Sequence, residues 1–267
     1  MAHLFIFGLG YSAQHVKRAL ESRGWTVSAT QCEGDLAFED EAGVRAALAQ
    51  ATHVLSSVPP ADGGDPVLRR YGDALRHPWL GYLSSTGVYG DTGGAWVDES
   101  APVGHGRRSA RALCDGQWLE RGARVLRLPG IYGPGRSALE QVAEGRAHRI
   151  DLPGQVFSRV HVADIAAGVV AALDGPAGAY NLADDLPAAQ NAVVEHACRL
   201  LRRPLPPLLP PEQAGLSPQA RAFYTENRRV ANGKAKRVLG WRPLFPDYRA
   251  GLAALLGSGP ITGAIEA

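Results

Sequence analysis

Leu4-Phe5-Ile6-Phe7-Gly8-Leu9-Gly10-Tyr11-Ser12-Ala13 is the stretch that decides the fold. Leu4 to Phe7 is a short apolar run closed by glycine, too short for a helix, and it reads as a strand buried on both faces. A helical stretch follows to about Arg23, with Ala13, Val16, Ala19 and Leu20 on one face. Gly24 stops it, and Trp25 to Thr30 reads as a second strand. Strand, tight turn, helix and strand in about 30 residues have the size of a βαβ unit. Gly8-x-Gly10-x-x-Ala13 sits in it as a dinucleotide-binding layout. The first glycine makes the turn, the second lets the backbone approach a pyrophosphate, and the small third residue lets helix and strand pack closely. Tyr11 and Ser12 open the helix, whose free N–H groups would face the phosphates.

The alternation continues outward from that unit. Helices are predicted over 41–50 and 66–76, strands over 52–57 and 79–84, and a Gly-rich loop over 85–106. A helix over 108–121 leads to a strand over 124–128. Further on, 164–173 reads as a helix capped by Asp164 and 179–182 as a strand. Such a series implies a doubly wound parallel sheet, an α/β Rossmann fold, with a smaller C-terminal substrate lobe. Residues 1–132 and 158–183 are assigned to the dinucleotide-binding domain, 133–157 and 184–267 to the lobe. Arg203 to Pro211 holds five prolines and reads as an extended connector.

Composition bounds the class. In 267 residues, 45% are hydrophobic and 20% charged, which excludes intrinsic disorder. A formal charge of +2, spread along the chain, is no nucleic-acid footprint. No apolar run is long enough to span a membrane, and no signal peptide is evident, so a cytoplasmic protein is expected. Cys32, Cys114 and Cys198 show neither disulfide nor zinc spacing, and no metal is expected. The only lysines are Lys17, Lys234 and Lys236, which excludes any mechanism that needs a lysine in mid-chain.

Cofactor choice is set at the end of the second strand, where an acidic residue favours NAD and an arginine NADP. Here Gln31 stands there, so NAD or NADP is left open. Asp35 is a candidate adenine contact, and Pro59, in the loop after the third strand, is grouped with the cofactor contacts. Ser84-Ser85-Thr86 ends a strand on the side where open α/β sheets bind ligands.

With those segments in view, the chain resembles the extended short-chain dehydrogenase/reductases, the NAD-dependent epimerase/dehydratase group. The resemblance rests on the Gly8–Ala13 loop, Ser84-Ser85-Thr86-Gly87-Val88-Tyr89-Gly90 and Arg127-Leu128-Pro129-Gly130-Ile131-Tyr132-Gly133-Pro134-Gly135. Arg159-Val160-His161-Val162-Ala163-Asp164 and Leu239-Gly240-Trp241-Arg242-Pro243 extend it in the family's order. It implies an NAD(P)-dependent oxidoreductase or epimerase acting on a sugar, nucleotide sugar or other carbonyl or hydroxyl compound, and a homodimer formed through helices of the Rossmann domain. It also places Ser85 at the catalytic Ser/Thr position, with Thr86 beside it.

The departures from the family are specific. Its Tyr-x-x-x-Lys pair falls on Arg107-Arg108-Ser109-Ala110-Arg111, and no tyrosine in the chain has a lysine four residues later. Arginine does not give up its proton, so Arg107 and Arg111 are assigned to stabilising developing negative charge. The chain thus resembles the atypical members that lack the pair. Tyr89, Tyr132, Tyr224 and His105 are the alternative bases. Arg136 and Arg228, each four residues after a tyrosine, are expected to lower the phenols of Tyr132 and Tyr224. The substrate is expected to meet Tyr132, Arg159, Tyr224 and Arg228, with Phe157, Glu226 and Asn227 nearby. The rival reading is a non-catalytic NAD(P)-binding sensor or regulatory protein; a cofactor-free structural protein is the third.

Overall fold

A computed structural model describes residues 2–30, 35–106 and 109–257. The elements in chain order are β1 (His3–Phe7), α1 (Tyr11–Glu21), β2 (Thr26–Thr30), α2 (Glu41–Gln50), β3 (His53–Ser56), α3 (Pro66–Tyr71) and β4 (Trp79–Ser85). A 3-10 turn (Thr86–Tyr89), β5 (Trp96–Val97), α4 (Ser109–Glu120), β6 (Arg124–Leu128), β7 (Gly130–Tyr132), α5 (Ala138–Ala143), β8 (Arg149–Ile150), β9 (Arg159–His161) and α6 (Val162–Ala172) follow. The last described elements are β10 (Gly178–Asn181), α7 (Gln190–Leu200), β11 (Leu208–Leu209), α8 (Pro218–Phe223), β12 (Arg229–Val230), α9 (Gly233–Val238) and α10 (Tyr248–Gly257).

Six strands form one parallel sheet in the order β10-β6-β4-β3-β1-β2. Alternation along β1 sends its side chains to opposite faces. Leu4 and Ile6 pack with Val16 and Leu20 of α1 and with Ile165 and Val169 of α6. Phe5 and Phe7 pack with Val44 of α2, Tyr71 of α3 and Trp118 of α4. Helices therefore cover both faces, which is the doubly wound class expected. The order reverses at β1, with β2 on one side and β3 on the other, and a ligand crevice opens at such a switch point. A third cluster gathers Tyr132, Leu139 of α5, Val194 of α7 and Leu252 of α10.

Two local expectations are corrected. The helix predicted over 66–76 ends at Tyr71, where the Gly72 amide still closes onto Leu68 and the chain then turns. Asp164 does not cap α6; the His161 ring does, accepting from the Ala163 amide at 3.2 Å. Asp164 instead takes the Leu244 amide at 2.6 Å and the Phe245 amide at 3.2 Å, pinning the C-terminal segment to α6. The proline-rich connector, expected to be extended, includes the strand β11, which pairs with β8. Among the described residues, no helix is long and apolar enough to cross a membrane.

Candidate active site

The glycine loop joins the ends of three strands. Gly8 has φ of 81°, and a Cβ there would stand 3.0 Å from Val58 Cγ2 and 3.2 Å from Ser57 Oγ. Both facts exclude a side chain. The Gly8 amide donates to Thr30 Oγ1 at 3.1 Å, and the Ser57 hydroxyl donates to the Gly8 carbonyl. Gly10 begins α1 with no side-chain cap, no acidic residue lies in the first turn, and a Cβ on Gly10 would meet nothing within 4 Å. The first-turn amides are thus left for an external acceptor. Gly10, Tyr11, Ser12 and Ala13 line a cavity of about 460 Å³. An uncapped helix terminus with a bare glycine approach fits a pyrophosphate.

Across that cavity lie Ser84, Ser85 and Thr86. Ser85 Oγ accepts from the Gly87 amide at 3.1 Å, so its own proton is available to a ligand. The floor beneath is a buried polar network. Ser84 donates to Asp115 Oδ2 at 2.6 Å, and Arg127 clasps the same carboxylate at 3.1 and 2.7 Å. Arg127 also donates to the Tyr89 hydroxyl at 2.9 Å, which donates to Asn181 Oδ1 at 2.8 Å.

Three described arginines reach the cavity wall. Arg111 donates to the Tyr82 hydroxyl at 2.8 Å and to the Leu83 carbonyl at 3.5 Å. Arg228 donates to the Gly90 carbonyl at 2.6 Å and pairs with Glu226 at 2.9 Å. Arg136 lies 5.7 Å over the Tyr11 ring, whose hydroxyl donates to the Pro134 carbonyl at 3.0 Å. Burial raises the Tyr11 phenol, with Arg136 opposing.

The structure brings together Gly10, Tyr11, Ser12, Ala13, Ser85, Thr86, Arg111 and Arg228 around one cavity, with Gly8 supporting the loop behind it. Arg159 and Tyr132 line a second cavity of about 310 Å³ instead. Pro59 is exposed and off both walls. Asp35 clasps the end of β2, its carboxylate taking the Ala29 amide at 3.1 Å. Gln31 and Arg107 lie outside the described residues.

The expected phenol activation is overturned. Residues 133–136 form a turn rather than a helix, so Arg136 swings to Tyr11 and leaves Tyr132. Burial, with Asp184 next, pushes the Tyr132 phenol well up. Tyr224 packs edge-on to Phe157 at 5.4 Å; burial raises it, and the opposing cation is Arg159, not Arg228. Tyr89 is raised by burial as well, and His105 is exposed. Ser57 and Phe223 join the cavity without having been anticipated. Ser57 follows the end of β3, so the rule that ligands sit at strand ends would have found it. Phe223 has no local signal.

No family model matches the sequence. Among solved structures, a functionally unknown conserved protein from Silicibacter pomeroyi DSS superposes with a TM-score of 0.86 at 40% identity, covering 96% of this chain and 99% of that one. A human epimerase family protein solved with NADPH gives 0.76 at 16% identity, over 96% and 99%. A Thermus thermophilus UDP-glucose 4-epimerase solved with NAD gives 0.70 at 20% identity, over 96% and 100%. A Streptomyces 3-diazoavenalumate denitrifying reductase is 34% identical over 140 residues, which is 48% of this chain and 45% of the Streptomyces protein. The chain thus matches less than half the length of that relative.

Proposed function

We propose that the chain, which shares its fold with NAD(P)-binding epimerases and 40% of its sequence with the functionally unknown Silicibacter pomeroyi protein, is an atypical extended short-chain dehydrogenase/reductase: an NAD(P)-dependent oxidoreductase acting on a small carbonyl or hydroxyl compound. One observation carries the reading. The uncapped start of α1 and the hydroxyls of Ser85 and Thr86 face a single cavity, with the Arg111 guanidinium on the same wall. The residues present fit a dinucleotide: Gly10, Tyr11 and Ser12 would hold its pyrophosphate through backbone amides. When bound, the nicotinamide would supply or accept a hydride.

The chain's own residues account for the rest. Ser85 donates a hydrogen bond to the substrate oxygen. Arg111, held by Tyr82, keeps donors turned to negative charge growing on that oxygen. The described cavity wall holds no histidine or lysine to remove a proton from a hydroxyl, and its one carboxylate, Glu226, is paired with Arg228. That favours carbonyl reduction, with the proton drawn from water, over epimerisation or dehydration. The name of the Streptomyces relative, a reductase, points the same way.

The test is a fluorescence titration with NADH and NADPH side by side, followed by turnover on a panel of carbonyls, sugars and nucleotide sugars. Saturable binding of either cofactor with turnover on one class is expected, and Ser85→Ala then slows turnover without changing cofactor affinity. No binding of either cofactor overturns the reading. A second reading, a non-catalytic NAD(P) sensor, draws on the arginines at the positions of the Tyr/Lys pair. Tight cofactor binding with no turnover on any class would select it.

A further inference from the structure

Two of the described arginines are buried, and they are treated differently. Arg127 is neutralised in place by the two oxygens of Asp115. Arg159 is 7% exposed, and its hydrogen bonds go to neutral acceptors: Nη1 to the Phe157 carbonyl at 2.9 Å and the Ala188 carbonyl at 2.8 Å, Nη2 to Gln190 Oε1 at 3.0 Å. It forms no ion pair with a described carboxylate. A guanidinium has five N–H donors, so two remain, on Nε and Nη2. Arg159 is also on the wall of a cavity of about 310 Å³, with Gln190, Tyr132, Tyr248, Phe157 and Phe223. The Phe157 and Phe223 rings lie 5.1 Å apart, tilted by 31°, and belong to both this cavity and the cofactor crevice.

We propose that this second cavity is a subsite for a carboxylate, read by Arg159, on a substrate whose planar apolar body lies along Phe157 and Phe223. The proposal rests on the oxidoreductase reading only for the word substrate; the subsite itself is argued from the buried cation. A buried charge held by neutral groups alone is costly, and a counterion lowers that cost. Asp184, the acid next to it through its backbone, does not provide one: its carboxyl makes no hydrogen bond to the guanidinium, and burial pushes it up to about 8, with Arg159 and then the Leu186 amide opposing. The protein therefore presents a cation whose partner must come from outside. A single guanidinium with two free donors matches the two oxygens of one carboxylate. Arg136, exposed and on the wall of both cavities, adds positive potential at their junction. The shared aromatic wall lets one molecule place its carboxylate at Arg159 and extend toward Ser85.

The experiment is calorimetric titration of the purified protein, with and without NADPH, using benzoate, cinnamate and 4-phenylbutyrate, each beside its carboxamide. At least one acid is expected to bind about tenfold or more tighter than its amide, since hydrogen bonds to charged groups carry such a factor. Gln190→Glu places a carboxylate on Arg159 from within. It is expected to fold normally and abolish the preference for the acid. Equal binding of acids and amides, no binding of any acid, or a preference that survives in Gln190→Glu overturns the subsite. Tighter binding of phenyl phosphate than of every acid overturns the carboxylate assignment. Cofactor binding without an acid preference sinks the subsite and leaves the redox reading standing. An acid preference without NADH or NADPH binding does the reverse.

Discussion

Arg111 is tied to the central sheet through Tyr82: its Nη1 donates to the phenol oxygen at 2.8 Å, and its charge lies 5.8 Å from the centre of that ring. The Tyr82 ring is in turn stacked on Trp118 at 5.4 Å with an interplanar angle of 10°. Burial raises the Tyr82 phenol far above its ordinary value, so it stays neutral and serves as a fixed acceptor. Arg111 is therefore a held cation at the cavity wall and not a loose charge on a helix surface. On any substrate that the carbonyl panel yields, Arg111→Ala is expected to lower kcat by about 10²-fold or more, the usual loss for a donor to a developing oxyanion. Tyr82→Phe, which keeps the stack but removes the acceptor, is expected to fall between Arg111→Ala and the parent. Cofactor affinity should change little in both. Steady-state kinetics beside a cofactor titration checks this, and a Tyr82→Phe enzyme as slow as Arg111→Ala would count against a positioning role.

Asp115 supplies a second prediction, on stability. It is fully buried and holds Ser84 and Arg127 at once. Asp115→Ala would leave the Arg127 charge buried without its partner, a change that costs about 3–5 kcal/mol. Ser84→Ala removes one hydrogen bond to the same carboxylate and is expected to cost about 1.5–3 kcal/mol. Urea unfolding of the two variants separates these values. An Asp115→Ala protein within about 1 kcal/mol of the parent would mean that the network relaxes and does not hold the cavity floor.

The legible part of this molecule is the part governed by local rules. Gly8 and Gly10 announce a tight turn between a strand and a helix, and β1, α1 and β2 follow within a residue or two of their predicted bounds. Ser84 and Ser85 are readable because β4 ends there, at the edge where ligands bind. What failed was decided by distant packing. Arg136 was set beside Tyr132 by a spacing of four, which brings side chains together only on a helix. The Gly133–Arg136 turn sends it to Tyr11, on the far side of the sequence. Asp164 obeys a capping pattern, yet its partners are amides about eighty residues later in the chain. The unpaired state of Arg159 has no sequence signature, because it depends on which carboxylates the fold brings near.

The last prediction concerns pH and isolates Asp184. Burial pushes its carboxyl up to about 8, with Arg159 opposing, against an ordinary value of 3.8. A raised carboxyl binds its proton more tightly in the folded state. Its stabilisation is complete below the unfolded value and is lost as pH rises through the folded one. Other buried groups act at lower pH. Burial raises Asp164 to about 6, with the Leu244 and Phe245 amides opposing, so its loss is over by then. Burial, with His15 next, lowers His161 to about 4, and that group favours folding above the ordinary histidine value and loses its effect as pH falls below it. His53 and His196, also lowered by burial, act in the same direction, and the tail of all three histidines extends above pH 6.5 in the parent and in any Asp184 variant alike. Between about pH 6.5 and 8, the parent protein should lose about 2 kcal/mol of stability relative to Asp184→Asn, which shares every other titrating group. Asp184→Asn keeps the shape and cannot ionise, so the parent's Tm should fall relative to it as pH rises. Thermal unfolding of both proteins in matched buffers decides the matter. Parallel profiles would mean that Asp184 is already ionised at neutral pH and neutralises Arg159, which would also remove the reason for an external carboxylate in the cavity beside it.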